Sequence, residues 1–216
     1  MTGRRLIRER REGMKVLIAS RNRHKIDEIK AIFALPGVEW VCAADVPGLK
    51  EVDEDGETFE ENAAKKAREC AKATGMWTLA DDSGLEVRAL ADSPGVRSAR
   101  YAGEPCDHAK NNAKLLDELD GSPDRTARFR CVAALSDPKG KVQTVSGACP
   151  GKILTALRGV AGFGYDPLFV PDGEKETFAE MGNDRKNAIS HRGRAMALAK
   201  AKWGALLASG AGEFPA

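Results

Sequence analysis

Cysteine and histidine are scarce in this sequence of 216 residues, which holds five cysteines and three histidines. No two cysteines form a CxxC pair and no two histidines lie four residues apart, so a disulfide framework or a zinc site has little to be built from. We therefore expect reduced thiols and a cytoplasmic protein. The sequence also lacks a run of about 18 apolar residues, which a membrane helix requires, so it predicts no membrane partner.

The sequence also has almost no net excess of charge, since 34 basic and 32 acidic residues leave a net charge of +2. Residues 1–13 hold five arginines and two glutamates, so the remaining 29 basic and 30 acidic residues carry a net charge of −1. Such a balance gives no general affinity for a polyanion, and we expect no nucleic-acid partner. The basic segment has no apolar run, so we expect residues 1–13 to be a disordered tail before one folded domain over residues 14–210.

The sequence does contain a clear alternation of strand and helix patterns. The strand-like stretches are 14–20, 38–43, 76–80, 85–90, 127–135 and 141–148. The helical stretches are 26–33, 58–74, 107–119 and 190–207, the second of them opening with a capping box at Thr58 and Glu61. A strand–helix–strand start followed by an antiparallel hairpin predicts an α/β fold with a mixed, partly antiparallel central sheet flanked by helices.

Two helix starts carry residues that suit a phosphate group. Ser20–Lys25 joins the first strand to its helix, where free backbone N–H groups and the helix dipole favour an anion, and Asn22 and Lys25 add a donor and a charge. Lys186 and the segment Ser190–Arg192 gather cations and donors at the start of the last helix. An ordinary polar turn and a capped, solvated helix start are the respective alternatives.

Asp81 and Asp82 stand where a predicted strand ends, and neighbouring carboxylates repel unless a cation is bound. The acidic loop that contains Asp53 and Glu54 offers a further oxygen ligand. Magnesium suits a few carboxylates together with substrate phosphates, so these residues are candidates for a magnesium site. A solvated turn is the alternative.

The segment Gly162–Pro167 places glycines beside two aromatic residues, which permits close approach to a flat ring that Asp166 can orient. The alternative is a tight turn whose aromatic rings belong to the core. These features together predict a nucleoside triphosphate site: two helix starts that suit phosphate, an aspartate pair, and a glycine-rich aromatic segment that suits a flat base.

Seven segments, from the first strand to the last helix, resemble one family. They are the Asn22/Lys25 loop, GETFEENAAKKA (56–67), ADDSGLEV (80–87), PGVRSARYAG (94–103), GFGYDP (162–167), TFAEM (177–181) and KNAISHR (186–192). In number, order and spacing they resemble the inosine/xanthosine triphosphate pyrophosphatase family, from Lys15 to about Leu207. Arg97, where the family usually has an aromatic or aliphatic residue, and Ser20, in place of a common Thr, are small departures.

The resemblance implies an enzyme that hydrolyses ITP, dITP and XTP to the monophosphate and pyrophosphate with Mg²⁺. It also implies an elongated, two-lobed domain with the active site in the cleft, and a homodimer. The alternatives are a pyrophosphatase for pyrimidine or methylated nucleotides and a non-catalytic nucleotide- or RNA-binding module.

The same resemblance implies a role for each site residue. Asp82 would be the general base and a metal ligand, Asp53 with Glu54 would provide the second ligand position, and Asp81 would assist. The residues that would hold the triphosphate and sugar are Ser20, Arg21, Asn22, Arg23, His24, Lys25, Ser83 and Lys186. The residues that would read the base are Phe163, Gly164, Tyr165, Asp166, His191 and Arg192.

Overall fold

In the computed structural model, which describes residues 13–215, six strands form one mixed sheet in the order β2-β1-β3-β4-β5-β6. Their bounds are β1 (Met14–Ile18), β2 (Val38–Cys42), β3 (Trp77–Val87), β4 (Thr126–Ser136), β5 (Val142–Ile153) and β6 (Phe169–Pro171). β1 runs parallel to β2 and β3, and the pairs from β3 to β6 are antiparallel. The predicted mixed, partly antiparallel sheet is confirmed.

Five helices flank the sheet, and their ends follow the local sequence. They are α1 (Arg23–Ile32), α2 (Phe59–Thr74), α3 (His108–Glu118), α4 (Asn183–Ile189) and α5 (His191–Ala208). The predicted capping box of α2 is present in both directions between Thr58 and Glu61, and Gly75 ends the helix with a φ of 68°. Asp107 and Ser190 cap α3 and α5 with their side chains, as their positions predict.

One local prediction differs from the structure, and two short elements were not predicted. Residues 77–87 form one continuous strand, so Asp81 and Asp82 lie inside β3 and not at the end of a strand. β6 and α4 were not predicted from the sequence, because β6 is only three residues long and α4 follows Gly182, which has no side chain to cap the helix. Short elements of this kind carry too few residues for a periodic pattern.

The core is divided along β3, which gives the domain its two lobes. Near the start of β3, Leu79 packs with α1 and α5 on one face, and Ala80 packs with α2 on the other. Near its end, Leu85 and Val87 belong to a separate cluster with α3 and the aromatic residues of β4 and β6. The segment between these clusters holds Asp81, Asp82 and Ser83, so the predicted acidic pair lies at the junction of the lobes.

The register of the sheet opens this junction on one side. β1 pairs with β3 only from Trp77 to Leu79, while β4 accompanies β3 along nearly its whole length. β3 therefore extends past the carboxyl end of β1, where Ser20–Lys25 begins. In α/β sheets this edge is where ligands bind.

The predicted disordered tail over residues 1–13 lies outside the described residues except for Gly13, and it stays a prediction. Within residues 13–215, none of the helices has the length and apolarity that crossing a membrane requires.

Candidate active site

Asp81 and Asp82 are neighbours on β3, and because side chains alternate along a strand, their carboxylates lie on opposite faces of the sheet. The carboxylate of Asp81 contacts Lys25 of α1 and Arg192 of α5, whereas that of Asp82 contacts Asn62 of α2. The repulsion expected from their adjacency is therefore reduced by geometry and by separate partners. A cation shared between the two carboxylates is not needed to hold them side by side.

Asp82 is buried, and each of its carboxylate oxygens accepts one hydrogen bond. The Asn62 side chain donates to Oδ2 at 3.1 Å, and the Ser83 backbone N–H donates to Oδ1 at 2.8 Å. Burial raises the pKa of Asp82 to about 6, an effect that the charge of Glu54 strengthens and that the charges of Lys25 and Lys66 oppose. Asp82 is thus a fixed carboxylate whose pKa is closer to neutral pH than that of an ordinary aspartate.

Asp81 has the opposite electrostatic character. Burial alone would raise the pKa of this carboxyl, but Lys25 and Arg192 hold it well below its usual range. Lys25 Nζ lies 3.3 Å and Arg192 Nη2 lies 3.2 Å from Asp81 Oδ2. Asp81 Oδ1 is buried and has no hydrogen-bond partner within the described part of the chain. The carboxylate therefore serves first as the counter-charge of two cations.

Glu28, which the sequence analysis did not identify, joins the two cationic residues of the last helices. Its carboxylate contacts Arg192 and lies 2.9 Å from Lys186 Nζ, which in turn lies 2.7 Å from Asp166 Oδ2. Lys186 and Arg192 together hold the pKa of Glu28 below its usual value against the effect of burial, while burial raises that of Asp166. The sequence does hold a signal for Glu28: it follows Lys25 by three residues, so the two side chains lie on the same face of the helix.

The acidic loop before α2 contributes Glu54 to the site. Lys66 Nζ of α2 lies 2.8 Å from Glu54 Oε1, and although burial disfavours its charge, Glu54 and the two aspartates raise the pKa of Lys66. Asp53 is exposed and does not join them. The four predicted metal carboxylates are therefore not brought together, and in residues 13–215 no three acidic, His or Cys side chains are grouped so that they could hold a metal. Lys66 was missed, although it shares the buried face of α2 with Ala63 and Ala67.

The Ser20–Lys25 segment begins α1 as a closed cap. Asn22 Oδ1 accepts the backbone N–H groups of His24 and Lys25 at 3.0 and 3.3 Å, and Ser20 Oγ accepts that of Asn22 at 3.2 Å. These N–H groups therefore already donate hydrogen bonds within the segment and are not free to bind a phosphate. Arg21 donates to the Leu49 carbonyl at 2.7 Å, which ties the segment to the acidic loop.

Arg23 is exposed, so Lys25 is the cation of this segment that lies against the junction.

The GFGYDP segment places one aromatic ring beside the cations. The Phe163 ring stacks on His24 with centroids 5.3 Å apart, and Lys186 Nζ and the Arg192 guanidinium lie 5.0 and 5.7 Å from its centroid. A base between two rings needs about 7 Å, twice an ordinary contact distance, so it would have to displace His24 or use the other face of Phe163.

The backbone of the same segment is held by close contacts. Gly162 has a φ of 74°, and a Cβ there would lie 2.1 Å from Asp166 Oδ2, so no other residue fits. Asp166 Oδ2 also accepts the Phe163 N–H at 2.8 Å, and the Gly164 carbonyl accepts a hydrogen bond of 3.0 Å from Asn112. These contacts fix Phe163 at the junction.

Three residues expected to contact the base are buried instead. Tyr165 is 3% exposed and its hydroxyl donates to the Ser98 carbonyl at 2.9 Å, so its ring is part of the core. His191 stacks on Phe129 with centroids 4.6 Å apart, and burial holds its pKa well below the usual value. Arg192 is 1% exposed and donates to Asp81, Glu28 and Ser83. These side chains support the site from within the fold.

The similarity to known proteins covers most of the chain. The profile of the Ham1 family matches residues 16–202. A dITP/XTP pyrophosphatase of Desulforamulus reducens is 52% identical over 185 residues, covering 85% of this chain and 92% of its own. A dITP/XTP pyrophosphatase of Geobacter sulfurreducens is 52% identical over 190 residues, with 86% and 94% covered.

Solved structures agree with the sequence matches. The Ham1 protein of Staphylococcus aureus is 40% identical, with a TM-score of 0.81 over 89% of this chain and 99% of that one. A nucleoside-triphosphatase / dITP/XTP pyrophosphatase of Mycobacterium abscessus is 47% identical, with a TM-score of 0.72 over 86% and 98%. The resemblance expected from the motifs is confirmed by both kinds of comparison. The chain belongs to the Ham1 family.

Proposed function

We propose that this protein hydrolyses deaminated purine nucleoside triphosphates, namely dITP, ITP and XTP, to the monophosphate and pyrophosphate. The observation that carries the proposal is the buried Asp82 carboxylate, held by two hydrogen bonds and close enough to Lys25 and Lys66 for both to lower its pKa. A fixed base beside cations is what water attack on a phosphoryl group requires. The relatives named dITP/XTP pyrophosphatase support the same substrate class.

Asp82 is the proposed general base that takes a proton from the water attacking the α-phosphorus. Its two hydrogen bonds fix the carboxylate in the direction in which it would take that proton. Lys25 and Lys66 then offset the charge that develops on the phosphoryl oxygens as pyrophosphate leaves.

Mg²⁺ is part of the proposal, and the residues present fit it. Glu54 lies near enough to raise the pKa of Asp82, and two carboxylates that repel each other are a suitable ligand pair for a divalent cation. We therefore propose Asp82 and Glu54 as the protein ligands, in preference to the exposed Asp53 and to Asp81, whose carboxylate already balances two cations. When bound, the ion would neutralise phosphate charge and polarise the water.

Base selection is proposed to depend on Lys186, whose ammonium group lies over the Phe163 ring. Its ammonium group uses two donors on Glu28 and Asp166, which leaves one. Hypoxanthine and xanthine carry a keto oxygen at C6 that can accept this donor, whereas adenine carries an amino group. An unmet buried donor can reject the wrong base by about 10⁴-fold.

We also propose a cytoplasmic homodimer. The family resemblance supports the dimer, and five free thiols, four of them buried, suit a reducing compartment. Light scattering on the purified protein should give twice the chain mass; the mass of a single chain at micromolar concentration would contradict the dimer.

Pyrophosphate release, measured with saturating Mg²⁺, tests the activity across dITP, ITP, XTP, dATP, ATP, GTP and a methylated pyrimidine nucleoside triphosphate. We expect kcat/KM for the three deaminated nucleotides to exceed that for dATP and ATP by several orders of magnitude. Guanine also carries a keto oxygen at C6, so the Lys186 donor alone does not reject GTP. A preference for modified pyrimidine nucleotides, or binding without turnover, would contradict the proposal.

A further inference from the structure

Asn62 is a buried carboxamide that joins the acidic loop to the Asp82 carboxylate. It lies in the first turns of α2 and is 1% exposed. Its side chain accepts the Gly56 N–H at 2.8 Å and donates to Asp82 Oδ2 at 3.1 Å, with a longer contact of 3.4 Å to the Gly56 carbonyl. The three polar contacts of the Asn62 side chain therefore go to two residues, Gly56 in the loop before α2 and Asp82 in β3.

The orientation of this carboxamide follows from its partners. A backbone N–H can only donate, so the atom facing Gly56 N must be Oδ1. The opposite atom is then the amide nitrogen, which presents N–H to the carboxylate of Asp82. With the Ser83 N–H on the other oxygen, each oxygen of Asp82 has one donor, so rotation of the carboxylate is restricted.

Gly56 is shaped to this contact. A Cβ at Gly56 would lie 2.7 Å from Asn62 Oδ1 and 2.8 Å from the Glu61 side chain, so a side chain there would push the loop away. The close approach places the acidic loop directly against α2. Lys66, one helical turn after Asn62 on the same face, holds Glu54 of that loop at 2.8 Å.

We propose that Asn62 is a positioning residue for the reaction: its amide N–H fixes the orientation of the Asp82 carboxylate, and its carbonyl oxygen sets the acidic loop beside that carboxylate. The proposal rests on the proposed function, because Asp82 is the base whose orientation it concerns. One face of α2 would thus hold both acidic groups of the site, Asp82 through Asn62 and Glu54 through Lys66.

Two variants separate the two contacts of Asn62. Asn62→Ala removes both, whereas Asn62→Asp keeps an acceptor for Gly56 and replaces the donor with a second carboxylate facing Asp82. We expect kcat to fall in both by roughly 10–100-fold, as for other residues that orient a reacting group, with little change in KM. Positioning affects the bound reaction more than substrate capture. Loss of folded protein would also lower the apparent kcat without changing KM, so the folded fraction of each variant is measured separately at the assay temperature.

Asp137→Ala is the matched control for stability. Asp137 is also buried, and it accepts the backbone N–H groups of Lys139 and Lys141 at 3.0 and 2.9 Å. It lies five residues beyond Val132, the strand partner of Asp82, which corresponds to roughly 17 Å at about 3.4 Å per residue. We expect it to lower Tm as Asn62→Ala does and to leave kcat unchanged well below Tm.

The hydrogen bond itself is read by ¹⁵N NMR, independently of turnover. One side-chain amide proton of Asn62 should be shifted downfield in the wild-type protein and should return toward the normal position in Asp82→Ala. An unshifted proton would overturn the proposal, as would a kcat of Asn62→Asp equal to that of the wild type. A wild-type protein that hydrolyses none of the nucleotides would instead contradict the proposed function, so the two failures are distinguishable.

Discussion

Arg192 Nη2 lies 3.2 Å from Asp81 Oδ2, in an ion pair whose two side chains are both buried although 111 residues separate them in the chain. The pair connects the first turn of α5 to the middle of β3, at the junction of the lobes. Lys25 reaches the same carboxylate oxygen from α1. The Asp81 carboxylate thus fixes the relative positions of β3, α1 and α5. Removing its charge should therefore lower the stability of the protein more than its catalytic rate.

Asp81→Asn should lower the free energy of unfolding by roughly 3 kcal/mol, because it removes the buried counter-charge that Lys25 and Arg192 share and leaves Arg192 with Glu28 alone. Urea unfolding measures the change. Asp124→Asn is the control, since Asp124 pairs with Arg88 at the surface and should change stability little. Equal, small effects of the two substitutions would show that Asp81 is not needed as a counter-charge.

Asp82→Asn should have the opposite profile. An amide removes a buried charge but sets its NH₂ group against one of the two donors, Asn62 or the Ser83 N–H, so Tm should fall, though by less than in Asp81→Asn. Loss of the proposed base should lower kcat by roughly 10²–10⁴-fold. The assay is pyrophosphate release at saturating dITP and Mg²⁺; retention of more than about a tenth of the wild-type kcat would rule out Asp82 as the general base.

Lys25→Ala should raise KM and lower kcat, the latter by about 10²-fold, because the ammonium group is proposed to stabilise charge both in the bound triphosphate and in the transition state. Lys30→Ala, at the exposed end of the same helix, is the control and should change neither constant. A fall in stability with unchanged kinetics would assign Lys25 to its ion pair with Asp81 alone.

Much of the fold could be predicted because its local signals are strong. The capping box and Gly75 define α2, the side-chain caps of α3 and α5 are visible in sequence, and alternation marks the first half of β4. The motifs of the site were found for a related reason. Asp81, Lys25, Lys186 and Phe163 are linked at the junction of the lobes through Arg192 and Glu28, while Asp82 lies on the opposite face of β3 with Asn62.

The differences between sequence and structure concern direction and burial, which a motif does not encode. Asp81 and Asp82 were treated as one pair, since the strand that separates their faces was predicted to break beside them. Tyr165 and Arg192 have the chemistry to bind a base, but tertiary contacts use their polar groups. Glu28 and Lys66 were missed because their partners are distant in the chain.

His191 should make stability fall as pH decreases below about 6.5. Burial, helped by the charges of Arg192, Lys186 and Lys25 and opposed by Asp81, holds its pKa well below 6.5 in the folded protein. The unfolded chain therefore takes up a proton that the folded one does not. The contribution of His191 is fully present above pH 6.5 and is lost below it, at up to about 1.4 kcal/mol per pH unit.

Comparison with His191→Phe isolates this contribution, because an aromatic ring can still stack on Phe129 but cannot titrate. Urea unfolding of both proteins from pH 7.5 to 5.5 gives the difference in stability, in which other titrating groups, including Asp82, cancel. As pH falls, the wild type should lose stability relative to His191→Phe. A constant difference would mean that His191 titrates alike in the folded and unfolded chain.

Phe163→Leu should weaken the binding of every purine nucleotide by a similar factor. The ring offers a flat face, and stacking on a face does not distinguish one base from another; its loss costs roughly 1–3 kcal/mol per base. Lys186 and Asp166, which are proposed to read the base edge, remain bonded to each other without the ring. The measurement is kcat/KM for dITP and dATP in wild type and variant, and both values should fall while their ratio stays constant. A fall confined to dITP would place the discrimination in Phe163 itself, since only a contact with the C6 substituent can separate the two bases.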